Sequence, residues 1–134
     1  MKTLFKIFNL SIALLLFFSF DIYSQSWVRS ASTSEAKGFV IKTDVLGNVY
    51  TAGEENRSTS TVGAFFSKHD VNGNLVWKRS LVGIPYCVIY GLEIDTLNNI
   101  AVTGGFSGTI DFDAGGNVSN LTNGGARNTF IAKY

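Results

Sequence analysis

Apolar residues are distributed along this chain in two different ways. Lys2 and Lys6 precede a 14-residue apolar stretch at 7–20, interrupted only by Asn9, Ser11 and Ser19. As a helix that stretch spans about 21 Å, short of the roughly 30 Å hydrocarbon core of a bilayer. A basic start, a short apolar segment and small residues around Ser24 predict a secretory signal peptide at 1–24. Cleavage is expected at Ser24/Gln25, with Ser26/Trp27 as second choice and an uncleaved N-terminal anchor as the alternative. So short a stretch makes no stable membrane span, and the expected location is secreted or at the cell surface.

From Trp27 onward the apolar residues come in short runs. Runs rich in β-branched and aromatic residues at 38–43, 49–52, 64–69 and 75–80 predict four strands. Those at 88–94, 100–103 and 129–134 predict three more. Asp, Gly and Asn fill the gaps at 44–48, 70–74 and 95–99, where they tolerate the left-handed backbone angles of tight turns. No segment after the leader keeps a 3.6-residue apolar period between caps, so no helix is expected there.

The runs also repeat. Trp27-Val-Arg-Ser30 recurs as Trp77-Lys-Arg-Ser80, and Ile41-Lys-Thr-Asp44 as Leu92-Glu-Ile-Asp95. Leu46-Gly47-Asn48-Val-Tyr-Thr-Ala-Gly53 recurs as Leu97-Asn98-Asn99-Ile-Ala-Val-Thr-Gly104, at an offset of 51. Phe65-Phe-Ser-Lys68-His69 recurs as Phe130-Ile-Ala-Lys133-Tyr134, now at 65, which places a 14-residue insertion and a long loop at 105–128. The repeat-defining positions are therefore Trp27, Gly47, Asn48, Gly53, Phe65 and Lys68, answered by Trp77, Asn99, Gly104, Phe130 and Lys133. Counting 27–30 as a strand, the predicted fold is all-β: two four-stranded antiparallel propeller-blade-like repeats after the signal peptide. The first repeat is placed at 25–76 and the second, incomplete at its C-terminus, at 77–134.

Taken in order, Trp-x-Arg-Ser, Leu-Gly-Asn-Val-Tyr-Thr-Ala-Gly, Phe-Phe-Ser-Lys-His-Asp and Asn-Gly-Asn-Leu-Val-Trp resemble the bacterial β-propeller repeat often called SBBP. The stretch from Gly104 to Gly116, with Gly108-Thr-Ile-Asp111-Phe-Asp113 ahead of Phe130, is similar to a long-loop variant of that repeat. The resemblance covers nearly all of 27–134. It departs at Asn98, where the other unit has Gly47, and at Tyr134, before any second-unit Trp strand. It implies a secreted or cell-surface protein with a propeller or related repeat array, and no particular catalysis.

Composition narrows the chemistry. All 14 glycines follow the leader, whereas Phe5, Phe8, Phe17, Phe18 and Phe20 of the 11 phenylalanines lie within it. A net charge of +1 argues against nucleic acid as partner. One Cys, Cys87, excludes an intrachain disulfide and reads as a buried thiol in an apolar run. Asp111 and Asp113 are candidate ligands for a hard cation, but Gly115 and Thr122 stand where an EF-hand needs oxygen ligands. The plainer reading is a loop whose Asp side chains bind nearby backbone N–H groups while Phe112 packs inward. His69 reads as a strand-end residue with no nucleophile set against it.

Trp27 and Trp77 are candidate sugar-stacking platforms, although their equivalence also suits packing between blades. No cofactor and no enzyme activity are expected. Because roughly three or more repeats stabilise such an array, partners should be further blades, in a longer chain or in other copies. The expected function is a secreted non-catalytic β-propeller repeat module, a fragment of a longer propeller, acting as an interaction or structural scaffold for protein or carbohydrate. The alternative is a two-blade protomer of an oligomeric propeller lectin.

Overall fold

A computed structural model describes residues 27–30, 35–56, 61–81 and 83–134. The signal peptide read at 1–24 lies outside the described residues. Seven strands are present among them: β1 (Ala36–Thr43), β2 (Val49–Glu55), β3 (Gly63–His69), β4 (Leu75–Leu81), β5 (Gly83–Ile94), β6 (Ile100–Asp111) and β7 (Asn120–Lys133). They form two antiparallel sheets, β1-β2-β3-β4 and β5-β6-β7. No helix occurs among the described residues, so none there is long and apolar enough to cross a membrane.

Three features differ from the sequence expectation. The loop expected at 105–128 is mostly strand, because Thr109↔Thr122, Ile110↔Leu121 and Asp111↔Asn120 extend the β6–β7 ladder. A register shift between Phe106 and Gly108 absorbs the extra length, with Gly108 at φ 77°. The density of glycine there masks a continuing alternation in which Phe106 and Ile110 face the core. Second, the sheets divide between Leu81 and Gly83 rather than at 76/77, since β4 with Trp77 pairs with β3 and completes the first sheet. Third, the 27–30 segment is not a strand, so the second sheet has three strands rather than four. With β4 already seated on β3, Trp27 instead stands on the β3–β4 turn, stacked on His69 at 6.1 Å, with Nε1 donating to Val71 O at 3.2 Å.

Three turns are built alike. Asp44, Asp70 and Asp95 each accept from the backbone N–H groups two and four residues on, at 2.8–3.0 Å. In each, the Asn at the fourth position donates its side-chain amide back to the same carboxylate: Asn48, Asn74 and Asn99 at 2.7–2.8 Å. The residue before that Asn has positive φ: 80° at Gly47, 80° at Gly73 and 63° at Asn98. Asparagine is one of the few L-residues for which that conformation is cheap, which is why the second unit does without the glycine.

The Asn amides hold all three carboxyls below their ordinary 3.8. A group whose native pKa is depressed stabilises fully above its unfolded value and loses that contribution as pH falls through the native one. The melting temperature is therefore expected to hold from pH 7 to about 4.5 and to fall below about 3.5. A melting temperature unchanged at pH 2 would contradict the role given to these turns.

The sheets pack head to tail. Tyr50, Ala52, Ala64 and Phe66 of the first sheet are buried against Cys87, Ile89, Val102 and Phe130 of the second. Under the repeat, Tyr50, Ala52 and Phe66 correspond to Ala101, Thr103 and Ile131, which lie on the opposite, outer face of the second sheet. Phe66 is 1% exposed and Ile131 83% exposed. Equivalent faces thus point the same way in both sheets, and different faces meet between them. Cys87 lies in this core, where burial pushes its thiol up to about 12. An alkylating reagent at pH 8 is expected to leave the folded chain unmodified and to react once denaturant is added. Rapid labelling of the native chain would be inconsistent with that placement.

Candidate functional site: the cleft between the sheets

The repeat-defining residues turn out to have structural tasks. Gly53 faces Phe65 and Gly104 faces Phe130 across equivalent strand pairs. Each glycine also lies against a β-bulge, at 38/40 and at 89/91. A Cβ on Gly53 would sit 1.8 Å from Lys37 O, and one on Gly104 1.9 Å from Val88 O. Lys68 reaches Asp44 at 3.7 Å, and Lys133 reaches Asp95 at 3.0 Å, so the repeated Lys ties the end of one strand to the repeated turn. Asp44 recurs as Asp95 at an offset of 51 and Lys68 as Lys133 at 65, so spacing along the chain does not join them. Strand pairing brings the two together.

The candidate ligand residues separate. Trp27 is on the β3–β4 turn, above Gly73. Trp77, on β4, turns its ring into the junction of the sheets, edge-on to Phe66 at 5.7 Å and to Tyr50 at 6.1 Å. There it borders an open cleft of about 470 Å³, shared with Arg79 of the same strand. Phe112 and Asp113 of the β6–β7 loop and Tyr134 also line it.

The loop owes its shape to its aspartates. Asp111 accepts from the N–H groups of Asp113 at 3.0 Å and Ser119 at 2.8 Å, which hold its carboxyl below the ordinary range, Ser119 foremost. Asp113 accepts from Gly115 N at 2.5 Å. Phe112 points inward, 4.6 Å from the ring of Phe130 and 5.7 Å from that of Phe106. These are the contacts expected of a self-bonded loop. No group of three potential metal ligands occurs among the described residues.

Tyr134 fixes the loop to the sheet. Its hydroxyl donates to Phe112 O at 2.9 Å, and its ring lies 4.8 Å from Phe66. Burial pushes its hydroxyl up to about 12, so it remains a proton donor throughout the neutral range. Arg79 donates to Ala114 O, linking the first sheet to the same loop. The cleft therefore joins an aromatic wall to a charged and amide rim that includes Asp113, Arg79 and Asn98. Such a surface can stack the apolar face of a polar ring and hydrogen-bond its edge. Of its lining, Trp77 and Asp113 are legible in the sequence as candidates. Arg79, Asn98 and Tyr134 are not, because they converge from both sheets.

No protein-family model matches the chain, and no curated protein matches it.

Proposed function

We propose that the chain is a secreted, non-catalytic β-propeller repeat module that serves as an interaction or structural scaffold within a larger array. The observation that carries this reading is the head-to-tail packing of two equivalent sheets. A contact between unlike faces of like units repeats itself, closing a ring or extending a stack. Ile131, Thr103 and Ala101 on the outer face of the second sheet occupy the positions of Phe66, Ala52 and Tyr50, which the first sheet buries. The chemistry-bearing side chains support a non-catalytic role, since each has a structural engagement. Cys87 is buried, His69 is stacked under Trp27, and Asp44, Asp70 and Asp95 are committed to their turns.

Secretion is tested by N-terminal sequencing of the exported chain. A start at Gln25 or Trp27 is expected, and retention of Met1 in the cytoplasm would overturn it. The array is tested by determining the structure of the purified assembly, where sheets stacked around a common axis are expected. Sheets meeting through equivalent faces would contradict it.

The cleft favours a second reading, carbohydrate binding. Trp77 and Asp113, separated by 36 positions in sequence, border one opening together with Arg79. Titration with neutral mono- and disaccharides, followed by tryptophan fluorescence, tests it: Trp77→Ala should abolish the response and Trp27→Ala should leave it. A response carried by Trp27 alone would sink this reading.

A further inference from the structure

The first strand of each sheet carries the same device. Within its sheet β1 is paired only with β2 and β5 only with β6, and each contains a β-bulge. The bulged residue is aromatic in both: Phe39 between Gly38 and Val40, Tyr90 between Ile89 and Gly91. The two stand at the repeat offset of 51. A bulge bends its strand and re-aims the extra side chain. Protection of an edge from stray pairing accounts for the bulges, but not for an aromatic residue in each or for what is gathered around them. Phe39 and Tyr90 meet with ring centroids 5.6 Å apart and remain 46% and 54% exposed.

The second sheet adds a cation to this pair. Opposite Ser107 of β6 stand four residues of β7, 124–127, because Phe106 pairs with Asn128 and Gly108 with Asn123. Asn123 shapes the excess: its side-chain carbonyl accepts from Gly125 N at 3.2 Å, and its amide donates to Ala126 O. The Arg127 guanidinium is thereby set over the ring of Tyr86, 3.9 Å from its centroid. Tyr86 is hydrogen-bonded to Tyr90 through their hydroxyls. A Cβ on Gly105 would lie 3.6 Å from one of these rings and 3.7 Å from the other, so both rest over bare backbone of β6. Stacking engages one face of the guanidinium and leaves its N–H edge available. The Arg127 side chain makes no hydrogen bond or ion pair among the described residues. Glu54, whose charge also reaches Tyr86, is paired with Lys37 at 3.4 Å.

We infer that Phe39, Tyr90, Tyr86 and Arg127 form a binding site for an acidic sugar, a uronate residue of a polysaccharide. Each part of that ligand has a counterpart. The carboxylate fits the forked N–H edge of Arg127. The apolar face of the pyranose stacks on the exposed aromatic rings, and its hydroxyls meet those of the tyrosines. A bare anion would use Arg127 alone, and a neutral sugar would leave its charge unanswered. The site goes beyond the scaffold reading and is separate from the Trp77 cleft. Its side chains all come from the two sheets described, so it stands or falls independently of the array.

Calorimetric titration of the full chain with trigalacturonate and with its methyl ester tests the inference. The acid is expected to bind in the millimolar range or tighter, and the ester at least about tenfold more weakly, since only the carboxylates distinguish them. Arg127→Gln should weaken binding of the acid at least about tenfold, and Phe39→Ala about fivefold, each with the β-sheet circular dichroism of the parent chain. Both side chains are exposed, so neither variant should unfold the chain. Equal affinity for acid and ester, or binding undiminished in Arg127→Gln, would overturn the inference whatever the cleft binds. So would displacement of trigalacturonate by an equal concentration of sulfate, or no binding of trigalacturonate at all. Tighter binding of hexaglutamate than of trigalacturonate would also overturn it, making the partner an acidic peptide.

Discussion

Phe66→Ala is expected to destabilise the monomer by about 3–5 kcal/mol, the range for truncating a buried aromatic. Phe66 is 1% exposed and joins the sheets, edge-on to Trp77 of its own sheet and 4.8 Å from Tyr134 of the other. Removal leaves a void that neither sheet can close without sliding, because both ring neighbours are held elsewhere. Trp77 is in the β4 ladder, and Tyr134 is hydrogen-bonded to Ile100 through both N–H and C=O. Ile131→Ala, at the equivalent position of the repeat, should change stability by no more than about 0.5 kcal/mol, as for most surface substitutions. Both variants are compared by urea unfolding at low protein concentration, so that association does not enter. Similar costs would mean that the sheets do not pack head to tail.

Gly104→Ala is expected to cost about 3 kcal/mol or more, at or above the upper end of the usual penalty for overfilling a core. The added Cβ would stand 1.9 Å from Val88 O, 2.9 Å from Val88 C and 3.0 Å from Ile89 Cα. All three are backbone atoms, so no rotamer change relieves the overlap and β5 must move away from β6 at the bulge between Ile89 and Gly91. That movement disturbs the cavity wall as well, since Gly104 pairs with Phe130, on which Phe112 rests. Gly116→Ala is the control: a Cβ there meets nothing within 4 Å. Thermal and urea unfolding of the two variants should separate them widely. A Gly104→Ala chain as stable as its parent would contradict the close approach of β5 and β6.

Much of the fold was legible because it depends on local chemistry. An Asp followed four residues later by Asn, with Gly or Asn between them at positive φ, builds the same turn at 44–48, 70–74 and 95–99. That turn can be read wherever it occurs, since the hydrogen bonds common to all three lie within five residues. The recurrence of Gly53 as Gly104 marked a repeat position without giving its cause, which is a close approach to Lys37 O and Val88 O on neighbouring strands. The β6–β7 extension was missed because glycines at 104, 105 and 108 read as loop. Glycine is compatible with a strand whose length is enforced by its partner, and pairing of 108–111 with 120–123 enforces it.

The candidate site was only half legible for a similar reason. Asp111 and Asp113 stand close in sequence, and their bonds to nearby N–H groups follow from spacing alone. That Asp113 shares an opening with Trp77 depends on how one sheet sits on the other. No spacing encodes it.

By itself the sequence determined the all-β class, the turn chemistry and the existence of two matching units, because those rest on alternation and on contacts within a few residues. Tertiary structure decided which face of each unit is buried. Phe66 and Ile131 are equivalent in the repeat and opposite in exposure, since burial depends on whether a neighbouring sheet is present on that side. It also decided the state of the 27–30 segment. Matching Trp77-Lys-Arg-Ser80 gives that segment the capacity to be a strand, but a strand needs an edge, and the edge of its own sheet is taken by β4.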